Sequence, residues 1–240
     1  MLRFRKLRED PSLLRIAARP EPILLDTGST ALLLIDFQRD FLEPGGFGES
    51  LGNDVSHLAA AVAPARALLD AARAARLPVL HTREGHRPDL SDVPRNKIDR
   101  APPGRRIGDP GPMGRILIRG EAGHDIIPAL APRPGEPVID KPGKGAFHQT
   151  DLAQILHNFG VDTLIVCGVT TEVCVHTTVR EANDRGFRCV VAGDACASYF
   201  PEFHEVALRM VAAQGGIFGW VAETAAITGA LAPQQQGVQG

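Results

Sequence analysis

Short apolar runs of the kind that form buried strands recur along the chain, and most of them lead into a helical pattern. The runs at 163–167 and 188–192 each precede a segment with apolar residues at spacings of three and four that ends at glycine. This alternation indicates right-handed crossovers and parallel strands. We therefore predict an α/β fold with three α/β/α layers and a mainly parallel, six-stranded, Rossmann-like sheet. The predicted strands are 31–35, 78–82, 138–140, 163–167, 188–192 and 216–221, and the predicted helices are 56–75, 150–158, 173–185, 201–214 and a last one ending near 231.

The predicted boundaries divide the chain into an arm, one domain and a tail. We expect an irregular N-terminal arm at 1–30, a single domain at 31–232 and a disordered tail at 233–240. Residues 83–136 interrupt the alternation and are rich in proline, glycine and arginine. A stretch of that length without periodicity is usually functional or part of an interface. We interpret it as an active-site flap that also makes subunit contacts, with a mobile surface loop as the alternative.

Composition excludes several classes of function. The net charge of -2 over 240 residues gives no electrostatic reason to expect a nucleic-acid partner. The four cysteines, at 167, 174, 189 and 196, lack C-x-x-C spacing, so we expect reduced thiols in a cytoplasmic protein. No apolar run is long enough to predict a membrane span. The arginine-rich N-terminus lacks the apolar core of a secretory signal, so none is expected.

Three predicted strands lead to residues with catalytic chemistry. The run Leu32-Leu33-Leu34-Ile35 leads to Asp36, Val138-Ile139-Asp140 leads to Lys141, and the strand at 163–167 leads through a short turn to Cys174. Because the carboxyl ends of parallel strands share one edge, where such folds bind ligands, we expect the three side chains to meet. The sequence therefore predicts an Asp-Lys-Cys cluster.

Such a cluster suits acyl transfer through a nucleophilic thiol. We expect Lys141 and a helix N-terminus to lower the pKa of Cys174, and Asp36 to carry protons during attack and release. The backbone amides of Thr170, Thr171 and Cys174 are candidates for binding the oxyanion. This chemistry requires neither a metal ion nor an organic cofactor.

The segments around these residues resemble a known family. LLLIDFQRDF, VIDKPGKGAF and GVTTEVCVHTTVREANDRGF are similar, in that order, to the Asp, Lys and Cys motifs of the isochorismatase-like cysteine hydrolases. The resemblance covers roughly residues 30 to 230. HTREGHRPDL, GDPGPMGRILIRGE and MVAAQGGIFG are most similar to the biuret hydrolases of that family and to related enzymes acting on ureido compounds.

The resemblance implies a set of site residues and a substrate class. It assigns catalysis to the aspartate, lysine and cysteine named above, and substrate contacts to Phe41, Lys144 and Gln214. It also implies a non-proline cis peptide near Val169–Thr170 and a homotetramer. The expected substrate is biuret, cleaved to allophanate and ammonia through a thioester, or alternatively triuret, ureidoacrylate or another N-carbamoyl compound. His148 departs from the family pattern, and we interpret it either as a solvent-facing residue or as one that reshapes the pocket.

Three other interpretations stay open on the sequence alone. Cys174 and Arg180 have the C-x5-R spacing of cysteine phosphatases, although the helical pattern between them would carry the arginine away. His81, His86 and Asp89 are candidate metal ligands of a metal-dependent hydrolase. A non-catalytic small-molecule binding protein is the third, although no G-x-G-x-x-G motif for a dinucleotide follows the first strand.

Overall fold

The computed structural model describes residues 13–232, so the predicted tail and the first twelve residues of the arm lie outside the described residues. The described strands are β1 (Leu13–Ile16), β2 (Ile23–Asp26), β3 (Thr30–Ile35), β4 (Val79–Glu84), β5 (Pro110–Gly111), β6 (Gly114–Arg115), β7 (Val138–Lys141), β8 (Thr163–Val169), β9 (Arg188–Ala197) and β10 (Trp220–Ala222). The described α-helices are α1 (Arg39–Leu42), α2 (Phe47–Ser50), α3 (Ser56–Ala59), α4 (Val62–Ala74), α5 (Arg95–Asp99), α6 (Leu152–Asn158), α7 (His176–Asp184), α8 (Pro201–Gly216) and α9 (Thr224–Leu231).

Six of the strands form one parallel sheet in the order β10-β9-β8-β3-β4-β7. Every residue of the two central strands, β3 and β8, is buried. Strands covered by helices on both faces read as continuous apolar runs, which is why these two were visible in the sequence. The predicted three-layer α/β/α fold is confirmed.

The sheet changes its winding direction between β3 and β8. From β3 the chain moves outward through β4 to β7, and from β8 it moves the other way through β9 to β10. Right-handed crossovers then place α4 on one face, and α6, α7 and α8 on the other. A crevice opens at the carboxyl edge where the direction reverses, which is the usual place for a ligand in an open α/β sheet.

Several predicted boundaries are corrected by the structure. The arm is not irregular over 13–26, because β1 and β2 form an antiparallel hairpin that buries Ile16, Ile23 and Leu25. The single helix predicted at 56–75 is interrupted between α3 and α4. Pro64 accounts for that break, since it lacks an amide hydrogen and clashes with the carbonyl four residues earlier.

The C-terminal part of the sheet also differs in its boundaries. The strand predicted at 216–221 begins only at Trp220. Gly216 and Gly219 before it have φ of 84° and 147°, values that L side chains rarely adopt, so the chain turns there and does not extend.

The insertion at 83–136 is packed against the domain, with the apolar side chains of Leu117, Ile118 and Leu130 buried in the core. It contains α5, the short hairpin of β5 and β6, and two turns of 3-10 helix at Ala122–His124 and Pro128–Leu130. Buried apolar contacts of this kind hold a loop in one arrangement. These contacts favour the flap over a mobile surface loop, and its role in subunit contacts stays a prediction.

One face of α8 is apolar and exposed. Phe203 and Met210 are 48% and 46% exposed and lie seven residues, or two turns, apart on the helix. The homo-oligomer expected from the family resemblance stays a prediction. Within residues 13–232, no helix is long and apolar enough to cross a membrane.

Candidate active site

Four neighbouring strands bring polar side chains to the same edge of the sheet. Cys174 lies just beyond β8, and Asp36 directly follows β3. The next two strands, β4 and β7, end in Glu84 and Lys141, which are paired in register. The aspartate, lysine and cysteine predicted from the sequence therefore do meet, and a glutamate that was not predicted lies among them.

Asp36 and Lys141 form a fully buried ion pair. Lys141 Nζ lies 2.7 Å from Asp36 Oδ2 and donates to the carbonyls of Gly143 and Lys144, each at 3.0 Å. Burial alone would lower the pKa of Lys141, but the Asp36 carboxylate, helped by the nearby thiol and second carboxylate, outweighs it and raises that pKa. Thr82 Oγ1 donates to Asp36 Oδ1 at 2.6 Å, so both carboxylate oxygens are held in place.

The Cys174 thiol lies between the two carboxylates. Its Sγ and one carboxylate oxygen each from Asp36 and Glu84 all lie within 4.8 Å of one another. Sγ is 3.7 Å from Glu84 Oε2, and the residue is 4% exposed. A carboxylate able to take the thiol proton is therefore already within reach of the sulfur.

Lys141 lowers the pKa of Cys174 as expected, but the net shift is upward. Burial raises the pKa of the thiol well above its ordinary value. The ammonium of Lys141 lowers it, but the negative charges of Asp36 and Glu84 raise it again. The upward shift favours a neutral thiol at rest, whose proton leaves as the sulfur attacks.

Glu84 is the functional residue that the sequence did not reveal. Its side chain is fully buried, and Lys144 Nζ binds both of its oxygens at 2.7 and 2.9 Å. Burial would raise the pKa of Glu84, yet the ammonium groups of Lys144, Lys141 and Lys97 lower it to about 2. The glutamate therefore stays ionised beside the thiol.

The segment that carries the thiol has an unusual backbone. The peptide between Val169 and Thr170 is cis, as the family resemblance implied. Thr171–Val175 forms a π-helical turn, and the Thr170 carbonyl accepts hydrogen bonds from the amides of Val173 and Val175. Turns of this type occur often at functional sites. Oxyanion binding by the amides of Thr170 and Cys174 stays a prediction.

Residues 30–226 match the family model described as the isochorismatase domain. The protein belongs to the isochorismatase family. The matched residues include the four strand ends that carry Asp36, Glu84, Lys141 and Cys174. The predicted family is confirmed, and so is the predicted class of enzyme, a hydrolase of amide bonds.

Two similar proteins are named as amidohydrolases. The ureidoacrylate amidohydrolase RutB of Methylobacterium radiotolerans is 34% identical over 223 residues, which cover 90% of this chain and 84% of that protein. RutB of Pantoea ananatis is 32% identical, covering 86% of this chain and 83% of its own. The names of these relatives support an amidohydrolase but not the biuret hydrolases that the motifs suggested.

Two solved structures share the fold of this chain. A cysteine hydrolase from Pseudomonas syringae pv. phaseolicola is 31% identical with a TM-score of 0.74, covering 93% of this chain and 98% of that one. The N-carbamoylsarcosine amidase from Thermoplasma acidophilum is 25% identical with a TM-score of 0.62, covering 82% and 96%. The isochorismatase-family sheet and its flanking helices are therefore common to all three.

Two of the predicted substrate contacts, Phe41 and Lys144, lie near the cluster around Cys174. The ring of Phe41 packs edge-on against Phe47, and its carbonyl accepts a hydrogen bond from the Tyr199 hydroxyl at 2.8 Å. Burial raises the pKa of Tyr199, and the proximity of Cys174 adds to the shift. Tyr199 therefore belongs to the same wall of the site as Phe41, although the sequence analysis did not single it out.

The fold does not bring Gln214 to the site of its own chain, and its contact with substrate stays a prediction. It is exposed near the end of α8, just before the turn that leads into β10. Because α8 runs from the carboxyl edge of the sheet back to the amino edge, it carries Gln214 away from Cys174. His148 is exposed and packs against Gly143, whose carbonyl binds Lys141. Its exposure favours the solvent-facing interpretation, and its effect on the pocket stays a prediction.

The phosphatase alternative is not supported by the position of its arginine. The guanidinium of Arg180 lies 4.1 Å from the centre of the Phe218 ring and donates to His176 Nδ1. A phosphate held by the Cys174 loop would need that guanidinium beside the thiol. The C-x5-R spacing is therefore a coincidence of the helix sequence.

The proposed metal ligands do not converge either. His81 lies against Glu136, and the Asp89 carboxylate accepts hydrogen bonds from Ser91. Asp36, Glu84 and Cys174 are close enough to share an ion, but each carboxylate already has an ammonium nitrogen at 2.7 Å. A divalent ion would have to displace those ion pairs, so the donor set fits a proton-transfer site better.

Proposed function

We propose that the protein hydrolyses a carbamoyl C–N bond of a small ureide through a thioester formed on Cys174, with ureidoacrylate ahead of biuret as the substrate. The observation that carries this proposal is the thiol enclosed by two ionised carboxylates and their ammonium partners. The names of the RutB relatives support the choice of ureidoacrylate.

Asp36 is the proton carrier in this mechanism. As Cys174 Sγ bonds to the carbamoyl carbon, the thiol proton passes to the Asp36 carboxylate, and Lys141 keeps that carboxylate oriented. The proton then goes to the departing nitrogen as the C–N bond breaks, which leaves a thioester. Water, deprotonated by Asp36, cleaves the thioester and restores the thiol.

Glu84 suits a substrate that contains a ureido group. A ureido group presents N–H donors beside its carbonyl, and a carboxylate offers about four acceptor positions. Lys144 binds both oxygens, Lys97 contacts Oε1 and the thiol contacts Oε2 at rest. Once Sγ gives up its proton and bonds to the substrate carbon, Oε2 can accept a substrate N–H in place of the thiol. An amide without the second nitrogen would leave a buried carboxylate without those partners, which disfavours nicotinamide.

Biuret is the weaker candidate for a structural reason. The motifs predicted that Lys144 and Gln214 together line the pocket, but these residues lie at opposite edges of the sheet within one chain. Lys144 is also bound to Glu84. A single chain therefore does not bring Lys144 and Gln214 together to bind the alternating carbonyl and amino groups of biuret.

A panel of small amides tests this function. Ureidoacrylate, N-carbamoylsarcosine, biuret and nicotinamide are incubated with the wild type and with the Cys174→Ser variant, and released ammonia is measured. We expect the ureides to be hydrolysed, with ureidoacrylate first, and the variant to lose at least about a thousandfold in kcat because an alcohol is a much weaker nucleophile here.

Cys189→Ala is the matched control, because Cys189 is a buried thiol of β9 that contacts none of the catalytic groups. It should retain the kcat of the wild type. Faster hydrolysis of nicotinamide than of every ureide, or undiminished turnover by Cys174→Ser, would rule out the proposal.

A further inference from the structure

The insertion sends one ammonium group into the active site. Lys97 lies on α5, and its side chain is 16% exposed, whereas that of Arg95 on the same short helix is 93% exposed. Lys97 Nζ lies 3.4 Å from Glu84 Oε1 and donates to the Pro142 carbonyl. Contacts with Glu84 and Pro142 therefore fix the position of the Lys97 ammonium, which does not extend into solvent.

Lys97 gives the site an unmatched positive charge. Among the described residues grouped around the thiol, Asp36 and Glu84 are the anions, and Lys141, Lys144 and Lys97 are the cations. The thiol adds no negative charge at rest because its pKa is raised. Burial lowers the pKa of Lys97, and the two other ammonium groups lower it further, against the opposing attraction of Glu84. Of the three ammonium groups, Lys97 is thus the one whose positive charge is least neutralised by the carboxylates of the site.

The approach to Lys97 is also positively charged. Lys97 lines a small cleft of about 110 Å³ together with Arg100 and Arg105, and no acidic side chain lines it. On its other side it lines a cleft of about 370 Å³ that reaches Gly143. The larger cleft also carries Asp92, which is paired with Arg119. In the small cleft an anion would meet only cations among the charged side chains, and Lys97 is the one that adjoins the thiol site.

We propose that Lys97 binds a carboxylate on the substrate and so makes the enzyme select anionic ureido acids over neutral ureides. This rests on the proposed ureide hydrolysis. Cys174 Sγ and Lys97 Nζ contact different oxygens of the one Glu84 carboxylate, at 3.7 and 3.4 Å. A ureido acid with a short spacer matches that arrangement, with its carbamoyl carbon at the sulfur and its carboxylate at Lys97. Binding would complete the charge balance of the site.

The test compares an acid with its neutral counterpart. Ureidoacrylate and its primary amide differ only in the charged end, and each is assayed with the wild type, Lys97→Met and Lys97→Arg. For Lys97→Met we expect KM for the acid to rise about 10- to 100-fold, the range of a charge-assisted hydrogen bond, while KM for the amide changes little. Lys97→Arg should keep most of the preference for the acid.

Arg95→Met is the matched control, because it removes a positive charge from the same helix without touching the site. It should leave both substrates unaffected. An equal loss for acid and amide in Lys97→Met would show that Lys97 serves Glu84 or the nucleophile, and no change for either would show a purely structural lysine; both results overturn the proposal. Wild-type enzyme that cleaves neither compound would instead refute the proposed ureide hydrolysis.

Discussion

The strand ends and the insertion supply the site in different ways. Asp36 and Lys141, at the ends of β3 and β7, are both inaccessible to solvent and hold each other at 2.7 Å. Lys97, from the insertion, is partly exposed and lies 3.4 Å from its carboxylate. The sheet therefore holds the groups that move protons, whereas the insertion presents a looser cation at the approach.

This division has a physical basis. Buried charges must be paired and hydrogen-bonded, which demands the positional accuracy of adjacent strands. A group that meets the substrate before chemistry begins tolerates more solvent and more movement. We therefore expect substitutions at the strand ends to change kcat and stability together, and substitutions in the insertion to change selectivity or acid tolerance.

The largest effect is expected when the buried ion pair is broken. Asp36→Asn should lower kcat by about 10²- to 10⁴-fold because it removes the proton carrier. It should also lower the free energy of unfolding by about 3–5 kcal/mol, since it leaves Lys141 charged and buried without its partner. Activity is measured by ammonia release and stability by urea denaturation.

The double variant Asp36→Asn/Lys141→Met separates the two effects. It should regain much of the lost stability, because no uncompensated buried charge remains, but none of the activity. If Asp36→Asn is as stable as the wild type, the Asp36–Lys141 ion pair does not stabilise the strand ends.

The sequence allowed this part of the site to be predicted because continuous apolar runs made β3, β7 and β8 visible. Asp36, Lys141 and Cys174 all follow such runs, and the parallel fold then required them to share an edge. Glu84 was missed for a local reason. The second strand was expected to end at Thr82, but β4 continues through Arg83 to Glu84.

A polar strand end gives no apolar signal, although Glu84 stood in the same position relative to its strand as Lys141. Had β4 been extended by two residues, the glutamate would have joined the cluster. The burial of Lys97 was beyond prediction, because it depends on how an insertion without periodicity folds back over Pro142. The contact of Gln214 with substrate stays a prediction, since α8 runs toward the amino edge of the sheet and the motif alone does not say which subunit's pocket the residue would enter.

The second expected effect is on the reactivity of the thiol. Glu84→Gln removes a negative charge 3.7 Å from Sγ, so the pKa of Cys174 should fall. Alkylation by iodoacetamide at neutral pH should become about 10-fold faster while hydrolysis of ureides declines. A slower alkylation than in the wild type would show that Glu84 does not raise the thiol pKa.

Asp40→Asn is a useful control for that experiment. Asp40 is also a buried carboxylate, but its oxygens accept hydrogen bonds from the amides of Phe47 and Leu117. It binds the insertion at Leu117 to the start of α2 and is not among the groups around the thiol, so its neutralisation should leave the alkylation rate near that of the wild type.

The smallest expected effect concerns the acid tolerance of the insertion. His124 is fully buried, and burial together with Arg83 lowers its pKa from 6.5 to about 4, although Asp140 opposes the shift. Between those two pH values the unfolded chain binds the proton and the folded one does not, so stability is lost as the pH falls from 6.5 to about 4.

We expect this histidine to account for a loss on the order of 1–2 kcal/mol over that interval, after allowance for its acidic neighbour. His124→Gln should make the unfolding free energy less dependent on pH by that amount, as measured by urea denaturation at pH 7 and pH 4.5. His157→Gln, which changes an exposed histidine of α6, should not. Equal pH dependence in the wild type and His124→Gln would mean that His124 becomes protonated without disturbing the insertion, and that the insertion is as tolerant of acid as the sheet beneath it.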